Sequence, residues 1–190
     1  MKITFSSQNS SQRDAVVATI ADQKILSAGK KISLCAAAEL RRAIEATGFK
    51  GHAGQRLHIP APRLTYSDHA YLLGLGNGQP LDEKTGVMVG RQLTQMFNFY
   101  GAKKIDVVVD QLQEQMGDDA ALLLAFGALL QSYEYTNYKS NAVKKDRHLN
   151  FVVDHPKTAA KAFEKFQAIA AGEFLTKDLG HEPPNSLFPE

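Results

Sequence analysis

The sequence predicts an α/β fold in which a largely parallel sheet carries helices on its faces. Three observations predict it: strand-like and helix-like segments alternate along most of the chain, Val107-Val108-Val109 lies in an apolar run of the kind covered on both faces in a parallel sheet, and apolar residues recur at helical spacing between the strands. Strands separated by helical stretches of this length favour right-handed crossovers between parallel neighbours.

Lys2 to Phe5 and Asp14 to Ile20 are short runs with β-branched or aromatic residues, bounded by Ser, Gln and Asn, and read as strands. From Ser33 to Thr47, Leu34, Ala37, Leu40, Ala43 and Ile44 recur near helical spacing. Ser33 can cap that helix and Gly48 can end it. Gln55 to Ile59 reads as a strand closed by Pro60-Ala61-Pro62, and Ala70 to Leu75 as a buried strand running into Gly74-Leu75-Gly76-Asn77-Gly78. A helix follows from Asp82 or Glu83 to Tyr100, with Val87, Gly90, Leu93 and Phe97 on one stripe and Gly101 as its stop.

Lys104 to Asp110 is the apolar strand expected at the centre of the sheet. Asp118-Asp119 open a helix through Leu130 whose Leu122, Leu123, Leu124, Phe126, Leu129 and Leu130 leave only a narrow polar side, so it should be mostly buried. Leu149 to Val153 is a further strand. Pro156 then begins a helix to about residue 175 in which Ala159, Ala162, Phe163, Phe166, Ile169 and Ala170 keep an i, i+3, i+4, i+7 series. The tail from Gly180 to Glu190 carries Pro183, Pro184 and Pro189, which fix φ and remove donors, and so reads as an extended connection between two folded units.

With 190 residues, 44% hydrophobic and 22% charged, the composition is that of a globular domain with one core. A net charge of +2 produces no field that would argue for nucleic acid or an acidic membrane surface. One cysteine, Cys35, cannot form an internal disulfide and fits a reducing compartment. The start of the chain has no apolar stretch of signal-peptide length, and no run approaches a membrane span, so a soluble cytoplasmic protein is expected.

The turn of Gly74, Gly76, Asn77 and Gly78 sits where glycine-rich loops of α/β folds present backbone N–H groups to phosphate. Its spacing matches neither the dinucleotide fingerprint nor a P-loop, and a tight strand-to-helix turn is the ordinary reading. His52, His58, His69, His148, His155 and His181 are scattered singly, with no pair at a spacing typical of zinc. Cys35 stands in an alanine-rich helix with nothing nearby to lower its pKa, so it reads as core. Asp118-Asp119 read as a helix start rather than a metal-binding pair, and Lys144-Lys145-Asp146-Arg147 as a solvated loop rather than a phosphate contact. No catalytic or metal-ligating set can be assembled from these residues.

Two segments carry a family likeness. Gly127-Ala128-Leu129-Leu130-Gln131-Ser132-Tyr133-Glu134-Tyr135-Thr136-Asn137-Tyr138-Lys139-Ser140 resembles the G-x-L-L-x-S-Y-x-F-x-x-Y-K pattern of the leucyl aminopeptidases, and Lys177-Asp178-Leu179-Gly180-His181-Glu182-Pro183-Pro184-Asn185 resembles their R-D-L-x-N-E-P-x-N junction. Tyr135 stands for the usual Phe, Lys177 for Arg, Gly180-His181 for a Val-Asn-like pair, and Phe188 where Thr is common. The resemblance implies a three-layer α/β/α domain with a mostly parallel or mixed sheet, similar to macro domains, over residues 1–179, and a junction over 180–190.

It further implies a following C-terminal catalytic domain that binds two divalent metals (zinc, manganese or magnesium) and acts on peptide substrates within a homohexamer. That family's metal ligands lie beyond the junction, in segments such as N-T-D-A-E-G-R, which does not occur here, so no catalytic, cofactor or metal residue is carried onto this chain. The competing expectation is a free-standing macro-like module binding a nucleotide, ADP-ribose or nucleic acid at residues 74 to 78.

Overall fold

The computed structural model describes residues 1–8, 13–21, 34–60, 67–76, 82–109, 119–138 and 146–183. Its elements in chain order are β1 (Lys2–Ser6), β2 (Ala15–Ala21), α1 (Leu34–Thr47), β3 (Arg56–Pro60), β4 (His69–Gly76), α2 (Glu83–Tyr100), β5 (Lys104–Val108), α3 (Asp119–Gln131), β6 (His148–Val152) and α4 (Pro156–His181). The strands form one mixed sheet in the order β1-β6-β5-β2-β4-β3. Every neighbouring pair is parallel except β3 with β4, so the antiparallel strand lies at one edge.

The alternation of strand side chains divides the core into two layers. On one face Val17, Tyr71, Leu73, Val107, Leu149 and Phe151 pack against Val89 and Leu93 of α2, the buried stripe of α3, and Ala159 and Phe163 of α4. On the other face Val16, Ala18, Leu72, Val108 and Val152 meet Leu40 of α1 together with Phe49 and Ile59. Helices therefore cover both faces, which makes the fold the expected α/β/α sandwich.

Local chemistry accounts for the boundaries. α1 and α2 end at Gly48 and Gly101, whose φ of 63° and 70° lie in the left-handed region that favours glycine. At the start of α2 the Asp82 carboxylate accepts the Thr85 amide at 2.6 Å. Nearly every residue of α3 from Ala120 to Leu130 is buried, as its apolar composition requires. Asp14, expected inside a strand, stands just before β2 and ties it down: its carboxylate accepts the amides of Lys103 and Lys104, and its carbonyl accepts those of Asp68 and His69.

α4 opens with Pro156 in its first turn, where a missing N–H costs nothing. It outlasts the reading from sequence and runs to His181. No residue from 173 to 181 is barred from a helix, and only Pro183 ends it: Glu182, the residue before that proline, is extended with φ −64° and ψ 135°. No described helix is long and apolar enough to cross a membrane.

Candidate functional site

In the glycine turn, the described members are held by the neighbouring segment at residues 51–55. The Gly74 amide donates to the Gln55 carbonyl at 2.8 Å and the Gly76 amide to the Gly51 carbonyl at 2.9 Å. A Cβ on Gly74 would run into the His52 carbonyl and lie 2.6 Å from the Gly51 carbonyl carbon, and Gly76 has a φ of 101°. Close backbone approach and a positive φ thus account for both glycines. Asn77 and Gly78 lie outside the described residues.

The other sequence candidates are dispersed. Ser33, Asp118, Lys144 and Lys145 lie outside the described residues, as do the side chains of Cys35 and Phe97. Asp119 is the first residue of α3. One pair unites that sequence spacing kept apart: His58 on β3 and His69 on β4 bring Nε2 and Nδ1 to 3.2 Å, with His58 stacked on Tyr71. Burial, and then the neighbouring His69, push the His58 pKa below its ordinary value. Among the described residues no three His, Cys, Asp or Glu side chains gather closely enough to hold a metal ion.

The two motifs that carry the family likeness meet in space. The first begins on α3, where Gly127 lets that helix pass close to α2, and Ser132 closes the helix by donating its hydroxyl to the Leu129 carbonyl at 2.7 Å. Its tyrosines then reach α4. Tyr133 donates to Asp178 at 2.7 Å, while Tyr135 and Tyr138 donate to the two oxygens of Glu182 at 3.1 and 2.6 Å. The His181 ring stacks on Tyr133 and tilts against Tyr135 at centroid distances of 6.2 and 5.2 Å. Lys177 lies over the Tyr133 ring at 5.3 Å, a cation–π contact, while pairing with Glu173.

The electrostatics of this clasp are internally consistent. Burial and the hydrogen bond to Asp178 push the Tyr133 phenol up to about 12, and burial with the bond to Glu182 does the same for Tyr135. Glu182 is held below its ordinary carboxyl value, chiefly by the Tyr138 hydroxyl. Phenol donors and carboxylate acceptors each keep the other in its bonding protonation state. The arrangement fixes the last turns of α4 against the body of the domain. Lys139, Ser140 and residues 184–190 lie outside the described residues.

A second polar group, on the α1 side of the sheet, joins residues that nothing in their spacing connects. Asp106, Asn150 and Thr4 stand in register across β5, β6 and β1, and Arg13 reaches them from just before β2. Thr4, Asp106 and Asn150 each read from sequence as an ordinary polar break in a strand, and Arg13 as a residue between strands.

Comparison with known proteins places the chain. Residues 16–142 match the model of the cytosol aminopeptidase family, N-terminal domain. A protein of a Bradyrhizobium species named "Probable cytosol aminopeptidase" is 30% identical over 197 aligned residues, covering 100% of this chain and 39% of its own length. One of the same name from Afipia carboxidovorans is 29% identical, covering 92% of this chain and 35% of its own. Among solved structures, a mutant of tomato leucine aminopeptidase superposes with a TM-score of 0.75 at 20% identity, over 100% of this chain and 40% of that one. The bottromycin maturation enzyme BotP, in complex with Mn, gives 0.65 at 19% identity, over 93% of this chain and 33% of that one. The chain thus spans under half the length of these relatives. Matched across most of its length by the family's N-terminal model, and folded as its structural neighbours are, this chain belongs to the cytosol aminopeptidase family, of which it represents the N-terminal domain.

Proposed function

We propose that this chain is the non-catalytic N-terminal domain of a leucyl aminopeptidase, a two-metal exopeptidase that removes N-terminal amino acids from peptides. Its role is to support assembly or to shape access to the active site. The observation that carries this reading is the clasp: Tyr133, Tyr135 and Tyr138 bind Asp178 and Glu182, anchoring the end of α4 from which the chain leaves the core. An anchored exit sets the direction in which a following domain would sit. The relatives' greater length supports a partner domain in the same chain.

In this reading the two divalent ions (zinc, manganese or magnesium) are held by that C-terminal domain, the parent acts on peptides as a cytoplasmic homohexamer, and neither membrane nor nucleic acid is a partner. The nucleotide alternative draws no support from Gly74 and Gly76, whose amides are engaged within the fold.

The test is a chromogenic leucine amide offered to the purified chain after loading with zinc, manganese or magnesium. No release above the blank is expected. Turnover that co-purifies with this polypeptide would overturn the reading. In the longer parent, Tyr133→Phe with Glu182→Gln is expected to disturb assembly or kcat/KM while leaving metal content unchanged.

A further inference from the structure

The second half of α4 outruns the core that its first half packs on. The buried residues of this helix are Ala159, Phe163 and Ala170, and from residue 171 to His181 no side chain is buried. That stretch is about three turns, or ~16 Å of helix, and the aromatic clasp of Tyr133 and Tyr135 on Asp178 and Glu182 ties it to the domain. A helix draws most of its stability in water from packing an apolar face, not from propensity.

The outer side of this stretch is apolar as well. Among the described residues five large apolar side chains stand exposed, and three of them, Ile169, Leu175 and Leu179, at 48%, 60% and 48%, belong to this part of α4. Ala168, Gly172, Leu175 and Leu179 recur at helical spacing, and Leu179 lies two and a half turns past the buried Ala170, on the opposite side of the helix. A Cβ added to Gly172 would meet nothing within 4 Å, so the stripe has an open notch near its middle. Five whole turns earlier, Lys157 and Lys161 stand on the lines of Leu175 and Leu179, and both are exposed. One side of one helix therefore changes from charged in its first half to apolar in its second, where a solvated helix would stay charged throughout.

The position of the stripe decides what covers it. Glu182 turns extended directly after α4, three residues past Leu179. In the relatives most of the chain lies beyond the part matched here, which in the Bradyrhizobium protein is 39% of the whole. From Ala168 to Leu179 the stripe is about 18 Å long and ~10 Å wide. A stable dimer draws roughly 800 Å² from each partner, far more than this strip offers. A domain tethered beside it acts at an effective concentration of about millimolar order, for which a small patch suffices. We propose that the Ala168–Leu179 face of α4 is the surface on which the following domain of the parent chain docks, with an apolar patch of its own. This rests on the reading that such a domain follows.

Hydrogen exchange read by mass spectrometry, on this chain and on the longer parent, tests the assignment. In the chain alone, amides of residues 172–182 should exchange faster than those of 159–170. In the parent they should slow by more than about ten-fold, since burying three aliphatic side chains exceeds that factor. Leu175→Gln combined with Leu179→Gln keeps helix propensity. It should leave the urea midpoint of this chain unchanged and remove the added protection in the parent. A lowered midpoint in the chain alone would show that the leucines serve its own core, and would overturn the docking face. Protection that grows with the concentration of the chain alone would overturn it in favour of a second copy. A parent that hydrolyses a leucine amide yet leaves residues 172–182 unprotected defeats the docking alone. A metal-loaded parent lacking both hydrolysis and protection defeats the functional reading with it.

Discussion

A close crossing of α2 and α3 makes the family motif's first glycine accountable to measurement. α2 and α3 cross with so little between them that a Cβ on Gly127 would fall inside the Val87 carbonyl, 2.9 Å from its carbon and 3.0 Å from the Arg91 amide nitrogen. Gly90, facing from the other helix, would drive a Cβ into the Leu124 carbonyl. Thr94 pins the same crossing by donating to the Ala128 carbonyl at 2.9 Å.

Carbon atoms pack at about 3.5–4.0 Å, so Gly127→Ala forces the helices apart by at least ~0.6 Å and thins the dispersion contacts along both. Neither obstacle is a side chain that can swing away. Overpacking costs typically about 1–3 kcal/mol, and a backbone collision belongs at the upper end. Alanine's better helix propensity returns about 1 kcal/mol. The net loss is about 2 kcal/mol, which for a domain of this size lowers Tm by about 4–8 °C.

Gly172 is the control, because it lies in α4 with nothing within 4 Å of an added Cβ. There only propensity acts, and Gly172→Ala should stabilise by about 0.5–1 kcal/mol. Urea unfolding followed by circular dichroism, with unchanged m-value, reads both variants. If Gly127→Ala matches or exceeds the wild-type chain, the close crossing is not what the motif's glycine serves.

Other consequences follow from the same structure. Phe163 is 2% exposed and meets Phe5 edge-on at 5.4 Å, so Phe163→Ala should cost about 3–5 kcal/mol in urea unfolding. His58 and His148 both have pKa values lowered from 6.5, so the unfolded chain binds protons that the folded chain refuses. Their contribution is intact above pH 6.5 and is lost as pH falls below it, which a pH series of unfolding midpoints measures and His58→Gln should flatten. Glu182 is depressed, so its share of the clasp is present above the ordinary carboxyl pKa and disappears as pH falls through the folded value. Tyr133 and Tyr135, raised to about 12, keep theirs below pH 10 and lose it as pH rises through about 12. Absorbance titration should therefore show two late-ionising tyrosines, and Glu182→Gln should move Tyr135 back toward 10.

The sequence by itself determined the order and type of the elements, because hydrophobic periodicity and turn residues are local properties: the Val107 strand, the apolar α3 and the proline-opened α4 each declare themselves within a dozen residues. It also determined the family, through two short motifs. Neighbourhood was decided only by the tertiary structure. Nothing local to Lys2–Ser6 says that it pairs with His148–Val152, or that β2 inserts between β4 and β5, because pairing is chosen by the fit of whole faces. The same holds for the sites. The tyrosines of one motif and the carboxylates of the other read as separate signatures until α3 and α4 bring them within hydrogen-bond reach. Arg13, Asp106 and Asn150 carried no signal at all, since a polar residue in a strand or just before one acquires meaning only from the strands placed beside it.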